Sequence, residues 1–539
     1  MSSSPIKKDG AVLANEDAAS VNSDEAQLRA FGYKQVLHRT WGQAENICAS
    51  FCALYFVGGI RYVYFVGISA GGPPAVWSSW LVTIVCACIT AAMLAEVCSS
   101  IPLSGSIYIW AAECAGNKYG RLVGFIVAFW STTAWTSFIA SICQGTMYYL
   151  LSELTVFGKT IEGGLVDTNI RFRAIVWIGA EVLLWTAVAI NFINPKAFRY
   201  VFFVTAGVML TDWLLTLIWL PIGVSKTYGF QDASFFTEYY NGTGAPTGWN
   251  WLLSFLFTSG VLTGFDAAGH VAEETKNASV TAARGIFWSC FISAALGTPI
   301  IFLYLVCSPD IDVMFSLDAP QPFVVLYSLA LGKGGQVVMV VIAILGLWLN
   351  TVVCLIAASR LVFAIARDGV LPGSSWIGKV KDNGQPKNAV LFTGAVASLL
   401  LCTILPSPVA FTSLVSAGAM PTIAAYALIP ALRLFVTPGK LKMAKWSNGR
   451  FSKPFCWIAM FWNLFILTTV ISPYYFPVTA DTFNYAPVIF GAVTLMAIAA
   501  YFIVPEEKWL PQRKIIEIQE NESWERNGRV AGQVSNKSD

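Results

Sequence analysis

The chain alternates long apolar runs with short polar links, and each run is about twenty residues long. At 1.5 Å of rise per residue, a helix of that length crosses the ~30 Å hydrocarbon core of a bilayer. Twelve such spans are read at 44–67, 76–100, 122–150, 173–193, 200–223, 249–275, 285–307, 335–366, 388–405, 409–433, 455–475 and 485–504. Core helices of a soluble protein would be shorter and amphipathic. Polar sequence flanks the spans. Residues 1–40 are rich in Ser, Asp, Glu and Lys and lack the apolar core of a signal peptide, and residues 506–539 are polar again. Both are expected to be disordered tails around a membrane domain over 41–505.

Composition sharpens this picture. The chain is 56% hydrophobic and 12% charged, with a mean hydropathy of +0.62. Soluble domains carry roughly 25% charged residues, so this chain has too little polar surface for water. An all-α integral membrane protein of about twelve helices is the implied fold class. The net charge of +3 says little by itself. Its placement says more. With the N-terminus inside, the links on that side hold Lys118, Arg121, Lys196, Arg199, Lys276, Arg284, Arg367, Lys379, Lys381, Lys387 and the basic run from Arg433 to Lys453. The opposite links hold only Lys159, Arg171, Arg173, Lys226 and Lys333. The positive-inside rule then puts both termini in the cytosol, with the plasma membrane as the expected location and the vacuole or endoplasmic reticulum as alternatives.

Two spans are interrupted near their centres by glycine and small polar residues, which weaken a helix and let its backbone open. Span 1 carries Leu54-Tyr55-Phe56-Val57-Gly58-Gly59, and span 6 carries Gly260-Val261-Leu262-Thr263-Gly264-Phe265-Asp266. Backbone groups freed in lipid need partners, and the carboxylate and amine of a bound solute can supply them. Interruptions five spans apart are the mark of inverted-repeat transporters with a site at the bilayer midplane. Close helix packing is the competing reading of such glycines. The substrate-binding candidates are therefore Leu54, Tyr55, Gly58, Gly59, Gly260, Thr263, Gly264 and Phe265.

Several stretches add a resemblance. They are Gly71-Gly72-Pro73, Ala95-Glu96-Val97-Cys98-Ser99-Ser100-Ile101-Pro102-Leu103-Ser104-Gly105, Thr263-Gly264-Phe265-Asp266-Ala267-Ala268, Glu273-Glu274-Thr275-Lys276-Asn277, Ser359-Arg360, Ala366-Arg367-Asp368-Gly369 and Asn484-Tyr485-Ala486. In these, over roughly residues 35–505, the chain resembles the amino acid–polyamine–organocation superfamily, and within it the fungal amino acid/choline/GABA permease branch. The resemblance implies a leucine-transporter-type 5+5 inverted repeat plus two helices, and coupling to protons. Arg61 and Asp212 depart from the branch pattern.

Charges inside a membrane are costly and point to function. Asp266 follows the span-6 break, at a position resembling the proton-coupling acid of related exchangers; it is read as a proton-coupling or amine-contact residue, or as the cap of the second half-helix. Asp212, deep in span 5, takes the same candidate role, and Arg61 either pairs with a carboxylate such as Asp212 or meets the substrate. His270 and Glu274 follow Asp266 at successive turns, as a structural set or a proton relay. Glu96 (with Arg121 or Arg360) and Glu274 are expected to form gate ion pairs, with Lys276 and Arg284 near Glu273 and Glu274. Asn350 must hydrogen-bond within span 8.

Two histidines, His38 and His270, and twelve scattered cysteines give no metal-ligand spacing, so no metal or cofactor is expected. The chain carries no phosphate-binding Gly-x-x-x-x-Gly-Lys-Ser/Thr motif. These features predict a secondary transporter rather than an enzyme. Its partners are a small-molecule amine, the proton and the lipid bilayer, with no nucleic acid. Amino acids and related amines such as GABA are the expected cargo. Organic cations such as choline, polyamines or thiamine are the alternative, and a channel or nutrient sensor the reading outside transport. The sequon Asn241-Gly242-Thr243 falls outside in this topology and Asn277-Ala278-Ser279 inside. Endoglycosidase treatment should therefore shift the wild type and not Asn241→Gln; a shift lost only in Asn277→Gln would reverse the orientation.

Overall fold

The computed structural model describes residues 24–380, 384–406, 408–439, 444–480 and 482–510. Among these, eleven helices are long and apolar enough to cross a membrane. Spans 1 to 5 are Gln43–Ser69, Gly72–Ser100, Gly116–Val156, Ile170–Ile190 and Pro195–Val224. Spans 7 and 8 are Ala278–Cys307 and Pro322–Arg367, and spans 9, 11 and 12 are Lys387–Ile404, Gly449–Ile471 and Ala486–Ile503. Span 10 is Pro408–Phe435. Span 6 is the twelfth. It is missing from the long helices because it is broken into Thr247–Leu253, Phe255–Val261 and Ala267–His270.

The order of elements repeats. A broken span 1 is followed by span 2, a short helix Ser106–Cys114 and the 41-residue span 3. A broken span 6 is followed by span 7, a short helix Ile311–Phe315 and the 46-residue span 8, which is kinked at Gly332. Because five is odd, the second set enters the bilayer from the opposite side, which makes the repeat inverted. Spans 11 and 12 follow it. Spans 4, 5 and 12 turn Ile178, Val182, Val204, Ile218, Leu495 and Phe502 outward. An apolar surface of that extent suits a hydrocarbon solvent and not water.

The tail expectation fails for residues 24–40. Leu28, Tyr33 and Leu37, with Trp41 after them, are buried, and the segment lies along the turn after span 6. Thr40 and Trp41 donate backbone N–H groups to the Glu274 carbonyl, at 3.0 and 3.1 Å, and Lys276 returns one to Trp41 at 2.8 Å. Regularly placed apolar side chains bury enough surface here to fix a segment that composition alone marks as polar. Residues 1–23 and 511–539 lie outside the described residues.

Both described ends meet on one face, where the ion pairs gather. Arg360 holds Glu274 at 2.7 Å, and Arg367 grips Glu273 through two contacts of 2.7 and 3.0 Å. Glu96 pairs with neither Arg121 nor Arg360. It accepts from Arg433 at 2.8 Å and from Ser452 at 2.7 Å, while Arg121 donates to the Tyr501 and Val504 carbonyls that end span 12. Arg284 reaches Gln43 at 3.2 Å. Pairing by loop proximity missed these partners because the helices, not the links, bring the charges together.

Asp368, just past span 8, is buried and accepts from the hydroxyls of Tyr33 (3.0 Å) and Tyr108. Burial pushes its carboxyl well above the ordinary 3.8, with the Tyr33 hydroxyl pulling the other way. The folded state thus holds the proton more tightly than the unfolded chain, and stability falls as pH rises from about 4 towards the folded value. Asp368→Asn keeps an acceptor and carries no charge. It should flatten that slope and raise the unfolding midpoint at neutral pH by roughly 1–3 °C. Scanning fluorimetry across pH checks this, and an unchanged slope would count against it.

Candidate functional site

Span 1 opens at Tyr55, not at the glycine pair. Tyr55 takes a left-handed conformation (φ 38°, ψ 58°), while Gly58 and Gly59 are helical within Phe56–Ser69. The reason is a close approach. A Cβ on Gly58 would overlap the Tyr55 ring, and one on Gly346 would overlap its hydroxyl end. Clamped between two glycines of spans 1 and 8, Tyr55 donates to Asp212 Oδ2 at 2.9 Å. The carbonyls freed beside the break find Asn350, whose Nδ2 donates to Cys52 O at 2.6 Å and Ala53 O at 3.0 Å.

Span 6 opens over 262–266, where Gly264 sits at φ +112°, a region that L side chains rarely adopt. Ser50 Oγ donates to the Phe265 carbonyl at 2.7 Å, which ties the two breaks together. Phe265 stacks on Tyr426 of span 10 with centroids 5.0 Å apart. Next to it, Asp266 is fully buried and accepts from the Tyr426 hydroxyl. Its other oxygen lies 2.8 Å from His270 Nε2 in a geometry that aligns no hydrogen bond, and Trp135 closes the edge of the imidazole at 5.1 Å.

Asp212 has a different setting. Arg61 grips both of its oxygens at 2.9 Å, and both side chains are 0% exposed. The Tyr149 and Tyr327 hydroxyls each accept from the guanidinium at 3.1 Å. With Arg61 and Tyr55 on it, the Asp212 carboxylate forms an internal ion pair between spans 1 and 5.

A narrow cleft opens beside the span-6 break between spans 2, 6, 10 and 11. Thr263 and Phe265 line it together with Thr90, Tyr426, Trp462 and Asn463. Leu54, Tyr55, Gly58 and Gly59 are not among its lining residues; they pack inside the bundle, Gly59 facing Val261 of span 6. Gly260 is exposed and Gly264 has open space around its α-carbon. The sequence reading did not single out Tyr426, Trp462 or Asn463. Asn463 was readable, as a lone amide in the apolar run Phe461-Trp462-Asn463-Leu464-Phe465.

The family model for amino acid permeases matches residues 46–494. This chain belongs to the amino acid permease family. The permease is 46% identical over 518 residues to the thiamine transporter thi9 of Schizosaccharomyces pombe, covering 91% of this chain and 87% of that one. It is 28% identical to the amino-acid permease BAT1 homolog of Oryza sativa (89% and 94% covered) and 26% identical to the amino-acid permease BAT1 of Arabidopsis thaliana (91% and 96%). Its fold is similar to that of the Eremococcus coleocola manganese transporter, with a TM-score of 0.52 at 12% identity, covering 88% and 95% of the two chains. The permease is thus a multi-pass membrane transporter on the five-plus-five inverted-repeat fold, with two further helices.

Removing one partner of a buried pair leaves an uncompensated charge, which costs about 3–5 kcal/mol, whereas removing both is often nearly neutral. Arg61→Leu or Asp212→Leu should each lower the unfolding midpoint of the purified permease markedly. The double substitution should recover most of the loss. Additive losses would show that the pair is not the unit of stability.

Proposed function

We propose that the permease is a proton-coupled transporter of a small organic cation, with thiamine as the first candidate. The observation that carries this is the 46% identity to a thiamine transporter, against 26–28% for relatives named as amino-acid permeases. The geometry agrees with it. A buried carboxylate, Asp266, stands behind the stacked rings of Phe265 and Tyr426, and aromatic faces with a carboxylate behind them attract a cation. Asp266 and His270, adjacent and buried, supply an acid and an imidazole for the coupling proton. The basic links support an orientation with both termini in the cytosol, and the plasma membrane is the proposed location. Amino acids and GABA form the second reading, favoured by the names of the more distant relatives.

Labelled thiamine should accumulate in cells that lack their own thiamine uptake once they express the permease, and a protonophore should abolish the accumulation. Asp266→Asn should reduce the rate by at least about tenfold at equal surface expression. Accumulation of GABA or another amino acid instead would decide for the second reading, and full activity of Asp266→Asn would remove that residue from the mechanism.

A further inference from the structure

Most of the polar groups around the span-6 cleft share one bias, since their hydrogens are already used; Thr83 shares a hydrogen bond with Thr258 at 2.7 Å, and the Trp462 indole N–H is a donor. Ser259 Oγ donates to Phe255 O at 2.6 Å, and Thr263 Oγ1 donates to Ser259 O at 2.7 Å. Thr90 Oγ1 donates to Cys86 O at 2.9 Å, and the Tyr426 hydroxyl is committed to Asp266. Asn463 spends both amide hydrogens, on Ala459 O at 2.8 Å and on Thr90 Oγ1 at 3.3 Å. A backbone carbonyl can only accept, so the contact with Ala459 fixes which end of the Asn463 amide is nitrogen. The oxygen is left over.

Apart from the Trp462 indole N–H, what these side chains offer a ligand is lone pairs, between the aromatic walls of Phe265, Tyr426 and Trp462. A ring that brings N–H donors fills such a site. A ring edge that brings acceptors sets oxygen against oxygen and leaves buried groups unpaired, a loss that discriminates strongly between near-isosteric ligands.

We propose that this cleft is the specificity pocket of the permease, that it takes a flat heteroaromatic ring bearing an amino group, and that Asn463 Oδ1 is the acceptor that reads that amino group. The inference rests on the organic-cation reading and narrows it. Thiamine carries an aminopyrimidine of this kind.

Two measurements test this. In cells, oxythiamine, in which a carbonyl replaces the amino group of the pyrimidine, should compete with thiamine uptake at least about tenfold more weakly than unlabelled thiamine. In Asn463→Leu that ratio should fall towards one, and Asn463→Gln should keep part of it. With the purified permease, 4-amino-2-methylpyrimidine should stabilise the fold against heat and its 4-oxo counterpart should not. Equal competition by the two vitamins in a permease that does transport thiamine would overturn the proposal, as would a ratio unmoved in a surface-expressed Asn463→Leu. If no thiamine is transported, the substrate reading fails by itself. The purified protein then decides on the cleft: preference for the amino ring sustains it, and equal stabilisation by both rings or by neither ends it.

Discussion

A backbone group freed inside hydrocarbon has to find its partner within the protein, and that requirement arranges the centre of this permease. Two helices are opened there, and each opening is matched by side chains from other spans. Asn350 answers the carbonyls of Cys52 and Ala53 from span 8. Ser50 answers the carbonyl of Phe265 from the other break, and Ser289 of span 7 supports Ser50 at 3.0 Å. The openings are consequently joined to each other and to the long eighth span. The bond between them is one that lipid cannot replace.

The charges divide into two kinds of setting. Arg61 and Asp212 have their donors and acceptors engaged, by one another and by three tyrosines. Asp266 and His270 are as deeply buried but less completely satisfied, since His270 Nδ1 has no partner among the described residues. Under the proposed coupling this difference assigns the labour: the first pair holds spans 1 and 5 together while the second changes state. Three further pairs, Arg360–Glu274, Arg367–Glu273 and Arg433–Glu96, fasten the face where the chain ends meet.

Span number, the two interruptions and the repeat were legible in the sequence because hydrocarbon imposes length and apolarity on every crossing. Gly264 was legible for the same kind of reason, since a positive φ needs glycine. The span-1 break falls at Tyr55, inside the stretch read from the sequence but three residues before its glycine pair. Gly58 looked like a hinge but serves as a recess, and nothing in a linear pattern tells a glycine that bends a helix from one that receives a neighbour's ring. Pairings such as Glu96 with Arg433 were beyond reach because they join residues more than three hundred positions apart. Asn463 and Tyr426 sit in ordinary apolar runs, where a polar atom signals a partner without saying which.

The clamp on Tyr55 has a consequence for how this protein can vary. The ring occupies volume that alanine would need at two other positions, Gly58 in its own span and Gly346 in span 8. No single enlargement at either glycine is sterically free while the tyrosine stays. A smaller residue at 55 would leave a hole and release Asp212 from a donor. Positions 55, 58 and 346 are therefore sterically coupled: a side chain at 58 or 346 requires a smaller one, or a moved ring, at 55.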